Sequence, residues 1–175
     1  MKFSVADSTF YLCFLEDINA PEPLATILQH LDFVIPKAVY DEVSICKGYG
    51  RARDTLRFTI GSSDIRFKEI LRPFFSSEQW KKGEAEAITL AFSLFNDDSL
   101  EQLILDDSQA RAFVRNNLGV LVNLMTGTVG FLRVCYRIKI LPREVVLQVL
   151  LLIEKSSFHI DGEVLSKVRS DIERS

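Results

Sequence analysis

Four acidic positions in this chain stand where their carboxylates could work together. Asp7 closes a short apolar run, Phe3 to Ala6, and the pair Asp106-Asp107 closes another, Leu103 to Leu105. Glu42 and Glu84 lie instead within helical patterns, on the apolar side. Glu42 shares its stripe with Val39, Val43 and Cys46, and Glu84 shares its own with Ile88, Ala91, Phe92 and Phe95. Ionised carboxylates gathered away from water are costly unless something positive neutralises them. A hard divalent cation suits that role, because magnesium takes oxygen ligands, keeps several waters and uses only one or two direct carboxylates. The absence of histidine from these motifs argues against zinc or iron. A cation held this way lowers the pKa of a bound water and stabilises charge on a phosphoryl group, the chemistry of metal-assisted phosphodiester hydrolysis. Each acid also has a plainer reading: Asp107-Ser108 suits a helix N-cap, Glu84 a first-turn residue complementing the helix dipole, and Asp7 a turn.

Several elements must form if these acids are to meet. Phe3 to Ala6 reads as a buried strand, followed by helical patterns in Tyr11, Leu12, Phe14 and Leu15 and in Leu24, Ile27, Leu28 and Leu31. "DFVIP" reads as a second strand stopped by Pro36, which can also open the helix carrying Glu42. "KGYGRARDTLR" is glycine-interrupted and basic, a loop leading to a helix or a mobile segment, and "DIRFKEI" alternates as a strand with Ile65, Phe67 and Glu69 on one face. Ser76-Ser77 opens the helical region containing Glu84. Leu103 to Leu105 forms a strand, Asp106-Asp107-Ser108 caps a helix with Ala110, Phe113 and Val114 inside, Gly119 stops that helix, and Val120 to Val122 gives another strand. Helices then begin at Thr128, about Pro142 and about Asp161. Short apolar strands alternating with amphipathic helices predict an α/β fold, with a mainly parallel sheet covered on both faces and wound right-handedly. Ligands in such folds bind beyond the carboxyl ends of the strands, where strand order reverses.

Length and composition set the outer bounds. With 175 residues and 47% hydrophobic content, the chain is expected to form a single domain over 1–175, with helices from about 142 to 175 packed on it. Cys13, Cys46 and Cys135 are odd in number and lack CxxC spacing, which predicts reduced thiols in a cytoplasmic protein. The opening MKFSVADS does not read as a signal peptide, and "VVLQVLLLIEK" is too short to cross a bilayer, so no membrane role is expected. A net charge of −3 offers no global attraction for nucleic acid. Local contacts would fall to Lys47, Arg51, Arg53 and Arg57, with Lys81 and Lys82 just before Glu84, or those charges form a solvated surface. His30, His159 and Trp80 read as structural.

Taken together, "SVADST", "IPKAVYDEV", "GEAEAITLA" and "LILDDSQAR" resemble the acidic motifs of the PIN-domain family, and most closely its PIN-like proteins related to toxin ribonucleases. "TGTVGFL" and "SSFHIDGEVLSKV" resemble the family's downstream helices, so the likeness spans nearly the whole chain. It implies a three-layer α/β/α sandwich with a central, mainly parallel sheet of about five strands. It also implies magnesium- or manganese-dependent cleavage of RNA, and the toxin half of a toxin–antitoxin pair. By position, Asp7, Glu42 and Glu84 match the first three acids of the family, and Asp107 or Asp106 the fourth; Mg²⁺ or Mn²⁺ would be held by Asp7, Glu42, Glu84, Asp106 and Asp107. Two departures stand out. The third acid is often aspartate in the family, and the threonine often found two residues before the fourth is replaced here by Leu105. Thr126 or Thr128 would then supply phosphate donors, unless "TGT" is only a turn and cap. Implied partners are RNA, an antitoxin protein and a second copy, for which Tyr11, Phe14 and Leu28 could offer a face as readily as they could fill the core. The rival readings are a catalytically inactive PIN-like binding or regulatory module and a receiver-like magnesium phosphotransfer protein. No suitably placed lysine motif supports the latter.

Overall fold

Val5 and Ala6, apolar and fully buried, end the four-residue strand on which the sheet is built, β1 (Phe3–Ala6). The computed structural model describes residues 1–75 and 82–174; the expected helix start at Ser76-Ser77, Trp80 and Lys81 lie outside the described residues. β1 pairs in parallel with β4 (Leu100–Ile104), with Ala6 opposite Ile104, and β4 pairs in parallel with β5 (Met125–Thr126). A second parallel ladder joins β2 (Val34–Pro36) to β3 (Thr59–Gly61). A single bridge between Ser4 and Phe33, with the Ser4 N–H donating to the Asp32 carbonyl at 2.8 Å, links the two ladders. The resulting spatial order is β3-β2-β1-β4-β5, a three-stranded and a two-stranded ladder joined at β1.

Parallel neighbours require crossovers, and helices supply them. α1 (Ser8–Leu12) runs into a π-helical turn, Cys13–Asp17, before α2 (Pro21–His30). α3 (Lys37–Ser44) and α4 (Lys47–Ala52) lie between β2 and β3, and α5 (Ile65–Leu71) and α6 (Lys82–Asn96) between β3 and β4. α7 (Ser108–Asn117) leads to β5, and α8 (Thr128–Arg137), α9 (Arg143–Lys155) and α10 (Gly162–Glu173) complete the chain. Helices flank the parallel sheet in the expected α/β/α manner. α6 is central to it: Ala87, Ile88 and Ala91 are fully buried, and the helix packs on β1, β2, β4 and α3.

The aromatic centre of the core ties the first helix to the rest. Phe10 stacks on Phe33 with ring centroids 5.7 Å apart, and presents or receives edges from Tyr11, Phe14 and Phe131 at 5.1, 5.5 and 5.7 Å. Tyr11 and Phe14 are fully buried, so neither forms part of a surface for a second copy; Leu28 is partly buried against the same core.

Three segments differ from the sequence expectations. "DIRFKEI" is not a strand but helix α5, started by the Asp64 carboxylate accepting from the Arg66 N–H at 2.8 Å; the strand is the three-residue β3 upstream. "KGYGRARDTLR" begins as helix α4, because Cys46 Sγ caps the Tyr49 N–H at 3.2 Å and Tyr49 and Ala52 are buried, and burial outweighs the low helix propensity of glycine. Val120 to Val122 lies in a 3₁₀ turn, Gly119–Leu124, and the strand follows it as β5, where the Leu105 N–H donates to the Thr126 carbonyl at 2.9 Å.

Because Phe10 sits at the junction of five rings, truncating it opens a cavity that its neighbours cannot collapse to fill. Phe10→Ala is expected to lower the unfolding free energy by about 3–5 kcal/mol, measured by chemical denaturation, against less than about 1.5 kcal/mol for Phe10→Leu.

Candidate metal centre

The site begins where β1 and β4 end. The Asp7 N–H donates to the Ile104 carbonyl at 3.1 Å, which extends the parallel ladder by one residue and places the Asp7 side chain beside the chain leaving β4. Asp7 has no solvent-accessible surface. Its Oδ1 accepts from the Phe10 N–H at 3.3 Å and so caps α1, and its Oδ2 accepts from the Asp106 N–H at 3.4 Å. Burial pushes the Asp7 carboxyl up to about 8; the Asp106 carboxylate adds to the rise, the two backbone N–H groups oppose it, and Glu84 adds a further push.

Asp106 is held from the other side. Thr128, the first residue of α8, donates to it twice, from its N–H at 2.9 Å and its hydroxyl at 2.5 Å. Burial raises the proton affinity of Asp106, while these two bonds and the nearby Arg111 guanidinium lower it. Arg111 itself is anchored by donating to the Leu105 carbonyl at 2.9 Å. Gly127 leaves room for the approach: a Cβ there would lie 2.9 Å from Asp106 Oδ1.

Glu84 is buried in the first turn of α6, close enough to Asp7 to raise its proton affinity. Glu42, half-buried on α3, reaches across to the same turn, where a Cβ on Gly83 would come within 2.7 Å of its Oε1. Glu42 therefore reaches α6 at the residue before Glu84, and glycine there is what admits it. Asp107 does something else: its Oδ1 accepts from the Ala110 N–H at 2.8 Å as the N-cap of α7. Among the described residues, no three acidic, histidine or cysteine side chains converge closely enough to share an ion in this arrangement.

Of the expected phosphate and RNA contacts, the Thr128 N–H and hydroxyl are engaged by Asp106, and the Thr126 hydroxyl lies 3.3 Å from the Gly127 carbonyl. Lys47, Arg51 and Arg53 are exposed on or just after α4, with Arg51 donating to Asn19 Oδ1 at 2.8 Å. Sequence reasoning missed the pairing of Thr128 with Asp106 and the steric parts of Gly83 and Gly127. The signals were present: a glycine directly before Glu84, and a threonine opening a helix that follows a strand.

The acids thus surround the carboxyl ends of β1 and β4, between which the strand order β3-β2-β1-β4-β5 changes direction. A family model described as a PIN domain matches residues 3–174. The chain belongs to the PIN-domain family. No curated protein and no solved structure matches it. PIN domains are generally nucleases and typically use divalent metals. The residues of this PIN domain fit such an ion in chemistry. The donors are all carboxylate oxygens, the innermost of them holds its proton to about 8 because it is buried beside Asp106, and Gly83 and Gly127 leave room for the Glu42 and Asp106 carboxylates.

Unfolded, Asp7 ionises near its ordinary value of 3.8, while in the folded protein it holds its proton to about 8. Between those pH values the folded state binds more protons, so this residue's contribution to stability falls as pH rises. Asp7→Asn is therefore expected to raise the melting temperature in EDTA at pH 7.5 by about 5 °C, with the gain shrinking towards pH 4. Calorimetry showing an unchanged or lower value at pH 7.5 would contradict the assignment.

Gly83→Ala separates ligand placement from folding. The added methyl displaces only the end of the Glu42 side chain, so the thermal midpoint should stay within about 3 °C of wild type. Affinity for Mn²⁺, measured by calorimetric titration, should fall by about tenfold.

Proposed function

We propose that this PIN domain is a divalent-metal-dependent ribonuclease that hydrolyses phosphodiester bonds in RNA. What carries the reading is the meeting of acids from two neighbouring parallel strand ends and a helix at the point where strand order reverses. Asp7, Glu84 and Asp106 would hold Mg²⁺ or Mn²⁺, with Glu42 completing the set across Gly83. Asp106 is favoured over Asp107 as the fourth acid, because its N–H bonds the Asp7 carboxylate and its own carboxylate is close enough to raise the proton affinity of Asp7. When bound, the ion supplies a water of lowered pKa and positive charge beside the phosphoryl oxygens.

The protein's own groups supply orientation. The Phe10 and Asp106 N–H groups fix the two oxygens of Asp7, and Thr128 fixes those of Asp106, so neither carboxylate has to be ordered when substrate arrives. Because Asp7 is protonated in the metal-free protein below about pH 8, cation binding must release a proton from it, and apparent affinity should rise as pH approaches that value. The reading extends to a toxin whose activity is held in check by an antitoxin placing a basic side chain among these acids.

One observation favours a second reading, a catalytically inactive binding module: the spacing of the carboxylates, of which no three share a coordination point among the described residues. Incubating labelled RNA with wild-type protein in Mg²⁺ or Mn²⁺, beside Asp7→Asn and Glu84→Gln, separates the two. Metal-dependent cleavage that falls about 100-fold or more in both variants supports the ribonuclease. Cleavage undiminished in the variants, or none from wild type across a range of RNAs, favours the inactive module.

A further inference from the structure

Asp106 faces more than the acid cluster. It also forms part of the wall of a cavity of about 500 Å³, bounded by α7, the start of α8 and the segment entering α10. This volume falls within the range of small-ligand sites. Arg111 and Arg115, one turn apart on α7, line it together with His159, Ile160 and Val164. None of these five belongs to the acidic constellation.

Two arginines and two aspartates line this cavity, and the two arginines share one face of α7. Arg111 is half-buried; its guanidinium is tied to the Leu105 carbonyl, and burial and the like charge of Arg115 disfavour its charged form while the Asp106 carboxylate favours it. Among the described residues neither arginine forms an ion pair. Two like charges at i and i+4 repel in the free helix, and a phosphate between them removes that repulsion. The acids nearby are already engaged: Asp106 by Thr128, and Asp161 by the Glu163 N–H, which it accepts at 2.8 Å as the N-cap of α10. Ile160 and Val164 add apolar surface to the lining, and Val164 is 45% exposed although it lines a concave surface. An anion-binding pair of arginines beside apolar side chains and an imidazole matches a phosphate joined to a flat base.

We propose that this cavity is a nucleotide subsite: it holds one nucleotide of a single-stranded RNA, with its phosphate on Arg111 and Arg115 and its base against Ile160, Val164 and His159. This rests on the ribonuclease reading for its location next to the reacting phosphate, since Asp106 is shared by both. It gives that reading a direction, because the strand must pass from the acids towards the C-terminal helix. It also adds the segment between α9 and α10 to the substrate-handling surface.

The test is made on the full chain in EDTA, where cleavage cannot contribute to the signal. Fluorescence anisotropy with a labelled single-stranded RNA octamer compares wild type with Arg115→Ala, Val164→Trp and, as a charge control, Lys2→Ala at the opposite end of β1. Expected are a loss of affinity of about tenfold in Arg115→Ala, with the slope of log K against log salt reduced by about 0.7. A comparable loss is expected in Val164→Trp, whose indole fills the cavity without changing charge, and none in Lys2→Ala. Equal binding by wild type and both cavity variants overturns the subsite, as does failure of wild type to bind the octamer. A parallel titration with adenosine monophosphate distinguishes the source: affinity equal to that of the octamer assigns the cavity to free nucleotides and overturns the strand reading. Octamer binding that depends on Arg115 and Val164 in a protein that cleaves no RNA would keep the subsite and discard the ribonuclease.

Discussion

Parallel pairing of β1 with β4 is the constraint from which the candidate site follows. With Ala6 opposite Ile104, the Asp7 N–H still bonds the Ile104 carbonyl and the Leu105 N–H still bonds the Thr126 carbonyl, so the chain leaves β4 only at Asp106, beside Asp7. Two aspartates are thereby held side by side at the edge of a hydrophobic core. The aromatic packing of Phe10 reinforces this, because the residue whose ring locks α1 to the core is also the one whose N–H holds Asp7.

Such an arrangement opposes stability and function. Burial and neighbouring carboxylates make ionised Asp7 expensive, and the backbone and threonine donors offset only part of the cost. A core designed for stability alone would place an apolar side chain there. Retaining the acids, together with glycines that admit carboxylates to within close contact, makes sense where a cation supplies the missing charge. The two small residues cost helix and turn stability but leave the acids free of steric exclusion.

Much of this was legible in the sequence, for identifiable reasons. Asp7 could be located because a short apolar strand ends in an abrupt polar step, and Glu84 because it interrupts an otherwise apolar stripe whose Ile88 and Ala91 are buried as expected. Sequence alone left Asp106 and Asp107 alike, since both follow the same strand and either carboxylate can cap a helix; in the fold Asp107 caps α7 while Asp106 accepts from Thr128, a partner brought in by β5. The strand errors have a similar origin. β3 and β5 have three and two residues, too few to show a period, and their identity depends on partners distant in the chain. "DIRFKEI" alternated convincingly over a few residues, but the Asp64 cap, a local signal, outweighs that alternation.

The lone bridge between Ser4 and Phe33 divides the acids between two supports. Asp7 and Asp106 are set by the hydrogen-bonded ladder of β1 and β4, a framework with little play, whereas Glu42 follows β2 on the far side of that seam and is placed by the packing of α3 against α6. The aspartates are therefore tied to backbone pairing and Glu42 to side-chain packing, so a substitution in the interface between α3 and α6 would shift Glu42 against Asp7 and Asp106 without replacing any of the acids.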